Sequence, residues 1–357
     1  MTDDGIVRRP RLRLTIAGTV VPGCVSAEIR CGRGSSAATY RVEVSSDAVS
    51  AVLQSAWLDA ASLDVKIEMA FAEAGYAQPG SWLAMIQGPV DRITAEPLFG
   101  LVVLDGRDNA AKLIDMPLQD GYLNKTASEV AADLAAQCGL QSDVDETTGL
   151  IGQYYQIQHS KTVFGAYSRH ANGWDLLSEL AQIQNYELWV DGTTLHFKQA
   201  VPDASPFDVS LQQEKPGEAV SCGSLSALSL DRTLGVSGAI QVRVASWNSR
   251  QKQTITQSYP AEVADGARLY TVLKPNLLPD EAQAIARSTY LQLRARQRIL
   301  SATMPGELSL APRRSISLSG TGTGWDTTYV VDHIVRHISA ERGFTQTLTA
   351  ITLQDGT

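Results

Sequence analysis

Short strand-like segments occupy both ends of this chain, and the helix-like segments are concentrated in the middle. Between residues 10 and 107 most apolar segments are short, rich in β-branched residues and separated by Gly, Pro, Ser or Asp turns. Within TYRVEVS, Tyr40, Val42 and Val44 alternate with charged residues, which is typical of a strand with one solvated face. The strand-rich pattern returns after about residue 225. This order predicts a β domain, an α/β insert and a second β domain.

The middle of the chain carries the patterns of two amphipathic helices. In NKTASEVAADLAAQCGL, Thr126 and Glu129 form a capping-box pattern, and Gly139 suits a C-terminal cap. A second helix is predicted from about Trp174 to Gln184. The predicted buried stripes are Val130, Leu134 and Cys138 in the first helix and Trp174, Leu177 and Ala181 in the second.

A hairpin and one long helix complete the predicted elements. YELWV and TTLHF flank Asp191-Gly192, a pair that tolerates the positive φ angles of a two-residue type I′ turn. The long helix begins at Pro279, which suits the first helical position. Its predicted inner stripe is Ala282, Ile285, Ala286, Thr289 and Leu293. The predicted domains are residues 1–112 (first β domain), 113–222 (α/β insert with two helices and a hairpin) and 223–357 (second β domain with the long helix).

Composition narrows the class of protein. The sequence is 44% hydrophobic and 19% charged, which is typical of a globular protein. No apolar run approaches the roughly 20 residues of a membrane-spanning helix, and a net charge of −8 argues against a dedicated nucleic-acid binder. There is no signal-peptide pattern, so we expect reduced thiols in a protein made in the cytoplasm. The dispersed cysteines, which lack close CxxC spacing, are Cys24, Cys31, Cys138 and Cys222.

The histidines are the first candidates for a metal or catalytic site. His333 and His337 lie four residues apart in YVVDHIVRHISAERGF, the spacing of paired ligands on a helix. The surrounding β-branched residues favour a strand, where four residues span roughly 13 Å and one metal ion could not bind both rings. The spacing of His159, His170 and His196 does not exclude a metal cluster, but His196 alternates with apolar residues in the hairpin, which favours a structural role.

Acidic and basic side chains give two further candidates. Asp175 and Glu179 lie four apart on a predicted helix and could act as a lysozyme-like acid and nucleophile, or form an exposed acidic face at the start of the helix. Arg294, Arg296 and Arg298 could contact nucleic acid, although a solvated helix end or a protein interface is favoured. GTGTG at 320–324 is interpreted as a hairpin loop, because a strand rather than a helix follows it. No catalytic, cofactor-binding or metal-binding residue is predicted, and the chain is predicted not to be an enzyme.

Four stretches in the same order resemble the phage late control protein D family of baseplate hub proteins, which is related to the hub part of type VI secretion spike proteins. They are NGWDLLSELAQIQNYELWVDGTTLHF, VRVASWNSRQKQTI, RLYTVLKPNLLPDEAQAIARSTYLQLRAR, and the closing strands from ATMPGELSL to FTQTLTA. The resemblance covers roughly residues 120 to 355, whereas the first hundred residues agree with the family only in their β character.

The resemblance implies a β-rich α+β fold with two tail-tube-like β-barrel domains and a smaller α/β insert. It implies a homotrimeric ring in the virion tail, at the baseplate or tail tip, which adapts the hexameric tail tube to a central spike or fibre module. DNA would be only a passing cargo, for which an acidic lumen would suit. Further expected partners are a distal tail protein and a tape measure protein, and assembly would occur in the bacterial host cytoplasm. A tail-tip cell-wall hydrolase that uses Asp175 or Glu179 is the alternative.

Overall fold

The computed structural model describes residues 9–34, 36–72, 81–118, 122, 124–155, 160–163, 172–201, 203–212, 222, 225–248, 252–275 and 277–352. Within these ranges the chain forms 21 strands and six α-helices, so the predicted β-rich class is confirmed. His159 and His170 lie outside the described residues.

The first β unit contains seven strands and one helix. They are β1 (Arg9–Ile16), β2 (Thr19–Val21), β3 (Cys24–Gly32), β4 (Thr39–Ser45), α1 (Ala51–Leu58), β5 (Asp64–Ala72), β6 (Leu83–Glu96) and β7 (Leu101–Arg107). Helix α1 was not predicted, because Ser, Ala and Val dilute its apolar periodicity; the Ser50 side chain caps it by accepting from the Leu53 N–H. The buried side chains of these strands form one core, which includes Leu14, Val42 and Ile67.

The α/β insert follows directly. It comprises α2 (Ala111–Ile114), α3 (Ala127–Gln137), β8 (Gln141–Val144), β9 (Gly152–Tyr155), β10 (Ser160–Val163), α4 (Gly173–Gln184), β11 (Tyr186–Asp191) and β12 (Thr194–Gln199). The predicted capping box at Thr126 is confirmed, and Gly139 has a φ of +67° just after the helix, as a C-terminal cap requires. Helices α3 and α4 pack with β8, β11 and β12 around a second core.

The remaining strands form a second β unit and a small separate sheet. In chain order they are β13 (Phe207–Ser210), β14 (Ala227–Arg232), α5 (Leu234–Ser237), β15 (Ile240–Asn248), β16 (Gln253–Tyr259), β17 (Arg268–Leu273), α6 (Pro279–Ala295), β18 (Arg298–Pro305), β19 (Ser315–Ser319), β20 (Thr328–Ser339) and β21 (Gly343–Thr352). Strands β15 to β17 form their own sheet and pack on α6, while β13, β14 and β18 to β21 surround another core.

The two β units share one sheet. Its strand order is β14-β18-β21-β20-β3-β4-β7-β6-β5-β1-β2, and antiparallel pairing of β20 with β3 joins the units edge to edge. Among the described strands this path does not close into a barrel, because β2 pairs only with β1 and β14 pairs only with β18. The chain thus presents a long, open antiparallel sheet.

Two sequence predictions about local structure need adjustment. The hairpin of β11 and β12 is present, but Asp191 pairs with Thr194, so the two-residue loop is Gly192-Thr193 rather than Asp191-Gly192. Only Gly192, with a φ of +54°, is left-handed there, so the turn is not type I′, which needs positive φ at both central residues. In α6, Ala282, Ile285 and Ala286 are buried as predicted, and Ser288 joins them while Thr289 is only partly buried.

Candidate functional site

Eight strands of the shared sheet, from β14 to β6, turn one face away from the cores. In the first β unit this face carries charged pairs at alternate positions of three strands: Glu28 and Arg30, Arg41 and Glu43, and Asp105 and Arg107. In the second β unit it carries hydroxyl groups, at Ser229, Ser301, Thr303, Thr345, Thr347 and Thr349. We refer to this surface as the polar face, and it crosses both β units.

The charged half of the polar face surrounds a concavity of about 330 Å³. Glu28 lies 2.6 Å from the Arg30 guanidinium, and the Arg41 guanidinium donates to Asp105 at 3.1 Å. Arg107 donates to Asp91 at 2.7 Å and to Asp115 at 2.9 Å, and the two carboxylates raise the pKa of Arg107. The three arginines and the three carboxylates that line the concavity therefore carry no net formal charge.

Strand β6 bends beside the concavity, and close backbone packing holds the bend. Strand β6 pairs with β5 up to Pro89 and with β7 from Val90 onward, so it leaves one layer of the first β unit and enters the other. A β-carbon on Gly106 would lie 2.3 Å from the Pro89 carbonyl oxygen, so only glycine fits there. The buried Tyr40 hydroxyl donates to the same carbonyl at 2.9 Å and holds the bend.

Among the described strands, the polar face has a free sheet edge at each end. Residues 90–96 of β6 have β7 as their strand partner on one side, because β5 ends its pairing at Pro89. At the other end, β14 pairs only with β18 among the described strands. Unpaired backbone N–H and C=O groups along such edges are templates for pairing with another chain. The two edges are therefore candidate association surfaces.

A partly buried ion-pair cluster joins the three parts of the chain. The Glu187 carboxylate of β11 lies 2.5 Å from the Arg33 guanidinium and 2.8 Å from that of Arg313, which precedes β19. The Arg313 guanidinium also stacks on the Trp189 ring at 4.2 Å, and its burial lowers its pKa. Because Arg33 follows β3, this cluster ties the insert to both β units, and we refer to it as the junction cluster.

The paired histidines lie on a strand of the polar face, as predicted. His333 and His337 belong to β20, where a bulge at Asp332 separates them from the preceding residues. His333 is exposed opposite Gly32, and His337 is partly buried opposite Glu28. They pair with different residues of β3 and β21, and both lie on the polar face at the join between the β units.

The two carboxylates of the alternative hydrolase hypothesis have separate structural roles. The Asn172 side chain accepts from the Asp175 backbone N–H at 2.8 Å, so Asp175 lies in the capped first turn of α4. The Glu179 side chain is only 9% exposed and lies 3.2 Å from the Lys274 ammonium. One carboxylate therefore belongs to a helix start, and the other to the contact between α4 and the small sheet.

The other candidate residues are likewise engaged within the fold. His196 stacks on Trp189, with ring centroids 4.6 Å apart, and its Nδ1 lies 2.9 Å from an Asp143 carboxylate oxygen. The four cysteines are free thiols, and burial raises the pKa of Cys24 to about 12 and that of Cys31 to about 11. Such thiols are poor nucleophiles because the thiolate is disfavoured.

The three arginines near the end of α6 contact the protein itself. Arg294 donates to the carbonyls of residues 236–238, with the shortest distance 3.0 Å. Arg296 lies 3.6 Å from Asp332, and Arg298 donates to the Gly324 carbonyl of the GTGTG hairpin loop. In the part of the chain that the structure describes, no group of three or more His, Cys, Asp or Glu side chains is placed to hold a metal ion. No described helix combines the length and apolarity that crossing a membrane requires.

The residues of the polar face were not predicted as a site, although the sequence carried a signal for them. Opposite charges two residues apart recur in AEIRCG, YRVEVS and LDGRD. Side chains two apart share a face of a strand. Three such strands adjacent in one sheet give a paired charged surface, but their adjacency follows only from the strand order.

Comparison with known proteins identifies the fold. No family model matches the sequence, and no curated protein matches it. A tail protein from Neisseria meningitidis is similar in structure, with 14% identity, a TM-score of 0.65 and 96% of each chain covered. A 43 kDa tail protein of prophage MuSo2 from Shewanella oneidensis has 13% identity and a TM-score of 0.66, over 96% of this chain and 98% of that one.

A third similar structure is a component of the Escherichia coli type VI secretion system, itself described as similar to T4 bacteriophage tail proteins. It has 13% identity and a TM-score of 0.51, over 96% of this chain and 77% of that one. The chain therefore has the fold of phage tail proteins and of related type VI secretion proteins, which confirms the predicted resemblance.

Proposed function

We propose that this chain is a structural hub protein of a phage or phage-like tail, located in the virion at the baseplate or tail tip. Three copies form a ring that adapts a hexameric tail tube to a central spike or fibre module and lets DNA pass. The distal tail protein and the tape measure protein are further proposed neighbours. The role is non-enzymatic. The similarity to tail proteins over nearly the whole chain supports the class.

The observation that carries the ring proposal is the pair of free edges on the polar face. One edge is β14, which has six residues, and the other is the second half of β6 from Asp91 to Glu96, since the Val90 N–H donates to the Leu63 carbonyl at 2.8 Å. Edges of similar length at opposite ends of one sheet suit head-to-tail pairing between copies, and closure of a ring covers every such edge. Two β units per chain then give six units in a trimer, which matches a sixfold tube.

Strand direction supports the same closure. Every neighbouring pair from β14 to β6 is antiparallel, and the path contains eight strands. Because the number is even, β6 of one copy and β14 of the next run in opposite directions in a rotationally symmetric ring. The join between copies is therefore antiparallel, as is the join of β20 with β3 inside each chain.

The layering of each β unit supports an inward orientation of the polar face. The cores and the second layer of strands lie behind this face, so it is the solvated face of the sheet. In our proposal this solvated face is turned toward the axis of the ring. The polar face then lines the passage, and its concavity has no net formal charge, whereas a lumen lined by acids was expected from the resemblance.

A charge swap across the proposed join provides the test. One antiparallel register places Asp231 of β14 opposite Arg92 of β6, and both side chains are exposed. We expect the wild-type chain to have the mass of a trimer by light scattering. Asp231→Arg or Arg92→Asp should each lower the trimer fraction, because like charges then face each other, and the double variant should restore it.

Asp265→Arg, an equal charge change on an exposed loop residue, is the matched control and should leave the mass unchanged. A wild-type chain that remains monomeric at high protein concentration and with its spike partner would contradict the ring. A trimer that neither single substitution weakens would show that the copies meet elsewhere.

A further inference from the structure

The polar face holds three arginines around one concavity, in an arrangement that suits a polyanion. Arg30, Arg41 and Arg107 lie on β3, β4 and β7, which are consecutive strands of the sheet. Guanidinium groups match phosphate oxygens in geometry and bind them through paired hydrogen bonds. Strands in a sheet are about 4.8 Å apart, so three arginines on adjacent strands present a compact basic cluster.

Each of these arginines is neutralised by a carboxylate of the same face. Glu28 lies two residues from Arg30 on β3, Asp105 is directly opposite Arg41 in the β4–β7 ladder, and Asp91 pairs with Arg107. The guanidinium-to-carboxylate distances are 2.6, 3.1 and 2.7 Å. A phosphate that approached this cluster would meet arginines whose donors already face carboxylates, and carboxylates that repel it.

We propose that the carboxylates of this concavity neutralise three arginines that would otherwise bind DNA phosphates. Duplex DNA then slides past the surface without being retained. The inference rests on the proposed role of the polar face as the lining of a DNA passage. Unmasked arginines would hold the DNA backbone through counterion release, whereas a strongly acidic surface would repel it over roughly 10 Å at moderate salt. Paired charges avoid both effects and keep the face hydrated.

The test is to remove the masking carboxylates and measure DNA binding. The variant Glu28→Gln/Asp91→Asn/Asp105→Asn/Asp115→Asn removes every carboxylate within 3.1 Å of the three arginines, since Asp115 is the second partner of Arg107 and Glu43 lies farther away, 3.7 Å from Arg41. Binding of a short labelled duplex is followed by fluorescence anisotropy. We expect no binding by the wild-type chain and clear binding by the variant. Each neutralised phosphate contributes about −0.9 to the slope of log K against log salt, so three give roughly −2.7 and about a 40-fold loss between 50 and 200 mM salt.

Two further variants make the result specific. Asp47→Asn/Asp208→Asn/Glu262→Gln/Asp265→Asn changes the net charge equally at exposed positions outside the concavity, and it should not bind DNA. Adding Arg30→Gln, Arg41→Gln and Arg107→Gln to the unmasked variant should abolish the gained binding. Circular dichroism and thermal unfolding confirm that each variant is folded.

Three results would overturn the inference: an unmasked variant that does not bind, a control variant that binds equally well, or a wild-type chain that already binds with the same salt slope. The mass of each sample is measured in parallel. A trimer that gains no DNA binding refutes the masking alone. A wild-type chain that does not assemble even with its spike partner refutes the proposed hub instead.

Discussion

We expect the partly buried Glu187 carboxylate of the junction cluster to make a large contribution to stability. The Glu187 carboxylate lies 2.5 Å from the Arg33 guanidinium and 2.8 Å from the Arg313 guanidinium, and the Glu187 side chain is 14% exposed. The substitution Glu187→Gln keeps the size of the side chain and removes its charge. Two neighbouring guanidiniums, both partly buried, are then left without a carboxylate. Breaking a fully buried ion pair costs about 3–5 kcal/mol, because the remaining charge has lost its solvent and its partner, so this partly buried cluster should lose about 2–3 kcal/mol.

Glu28→Gln is the matched control for this prediction. Glu28 lies 2.6 Å from Arg30, a similar distance, but the two side chains are 31% and 58% exposed. Solvent screens such a pair, so its loss should cost about 0–1 kcal/mol. Both substitutions remove a carboxylate at nearly the same distance from an arginine. The difference between their stability losses therefore reports the effect of burial rather than that of pairing.

Urea unfolding of the two variants measures the difference. The chain has several cores and is not expected to unfold in one step, so the comparison uses the first transition, with hydrogen exchange at β11 and Arg33 to locate it. In Glu187→Gln/Arg313→Met the uncompensated buried charge is gone, and part of the loss should be recovered. Equal destabilisation by Glu187→Gln and Glu28→Gln would refute the argument from burial.

Two other predictions concern the first β unit. Gly106→Ala should destabilise the chain by about 1–3 kcal/mol in thermal unfolding, because the new β-carbon would lie 2.3 Å from the Pro89 carbonyl oxygen, whereas Gly34→Ala has no atom within 4 Å and should be nearly neutral. The hydrogen bond from Arg13 at 2.6 Å lowers the pKa of Glu68, so this pair stabilises the fold above the unfolded carboxyl pKa of about 4.3 and the stabilisation is lost as the pH falls. Glu68→Gln should therefore be less stable than wild type at pH 7, and the gap should narrow below about pH 4.3 and close as the pH falls through the lowered pKa of Glu68; a gap that does not depend on pH would contradict this assignment.

Much of the local structure followed from the sequence. The capping box at Thr126, the start of α6 at Pro279 and the strand that contains His333 and His337 were all predicted, because hydrophobic periodicity and capping depend on residues a few positions apart. The hairpin after Tyr186 was also predicted, with its loop displaced by one residue. The β-rich class and the resemblance to hub proteins rested on the same local patterns, repeated in order along the chain.

Other features depended on which distant segments meet. The pairing of β3 with β20 joins residues about 300 positions apart, and no local pattern indicates it. That join makes one polar face out of two β units, with free edges at β14 and β6 among the described strands, and it brings Arg33, Glu187 and Arg313 together. The sequence alone determined the elements and the alternation of charge along each strand. Only the tertiary structure decided which strands are neighbours, because edge pairing is made by backbone groups that every residue other than proline carries.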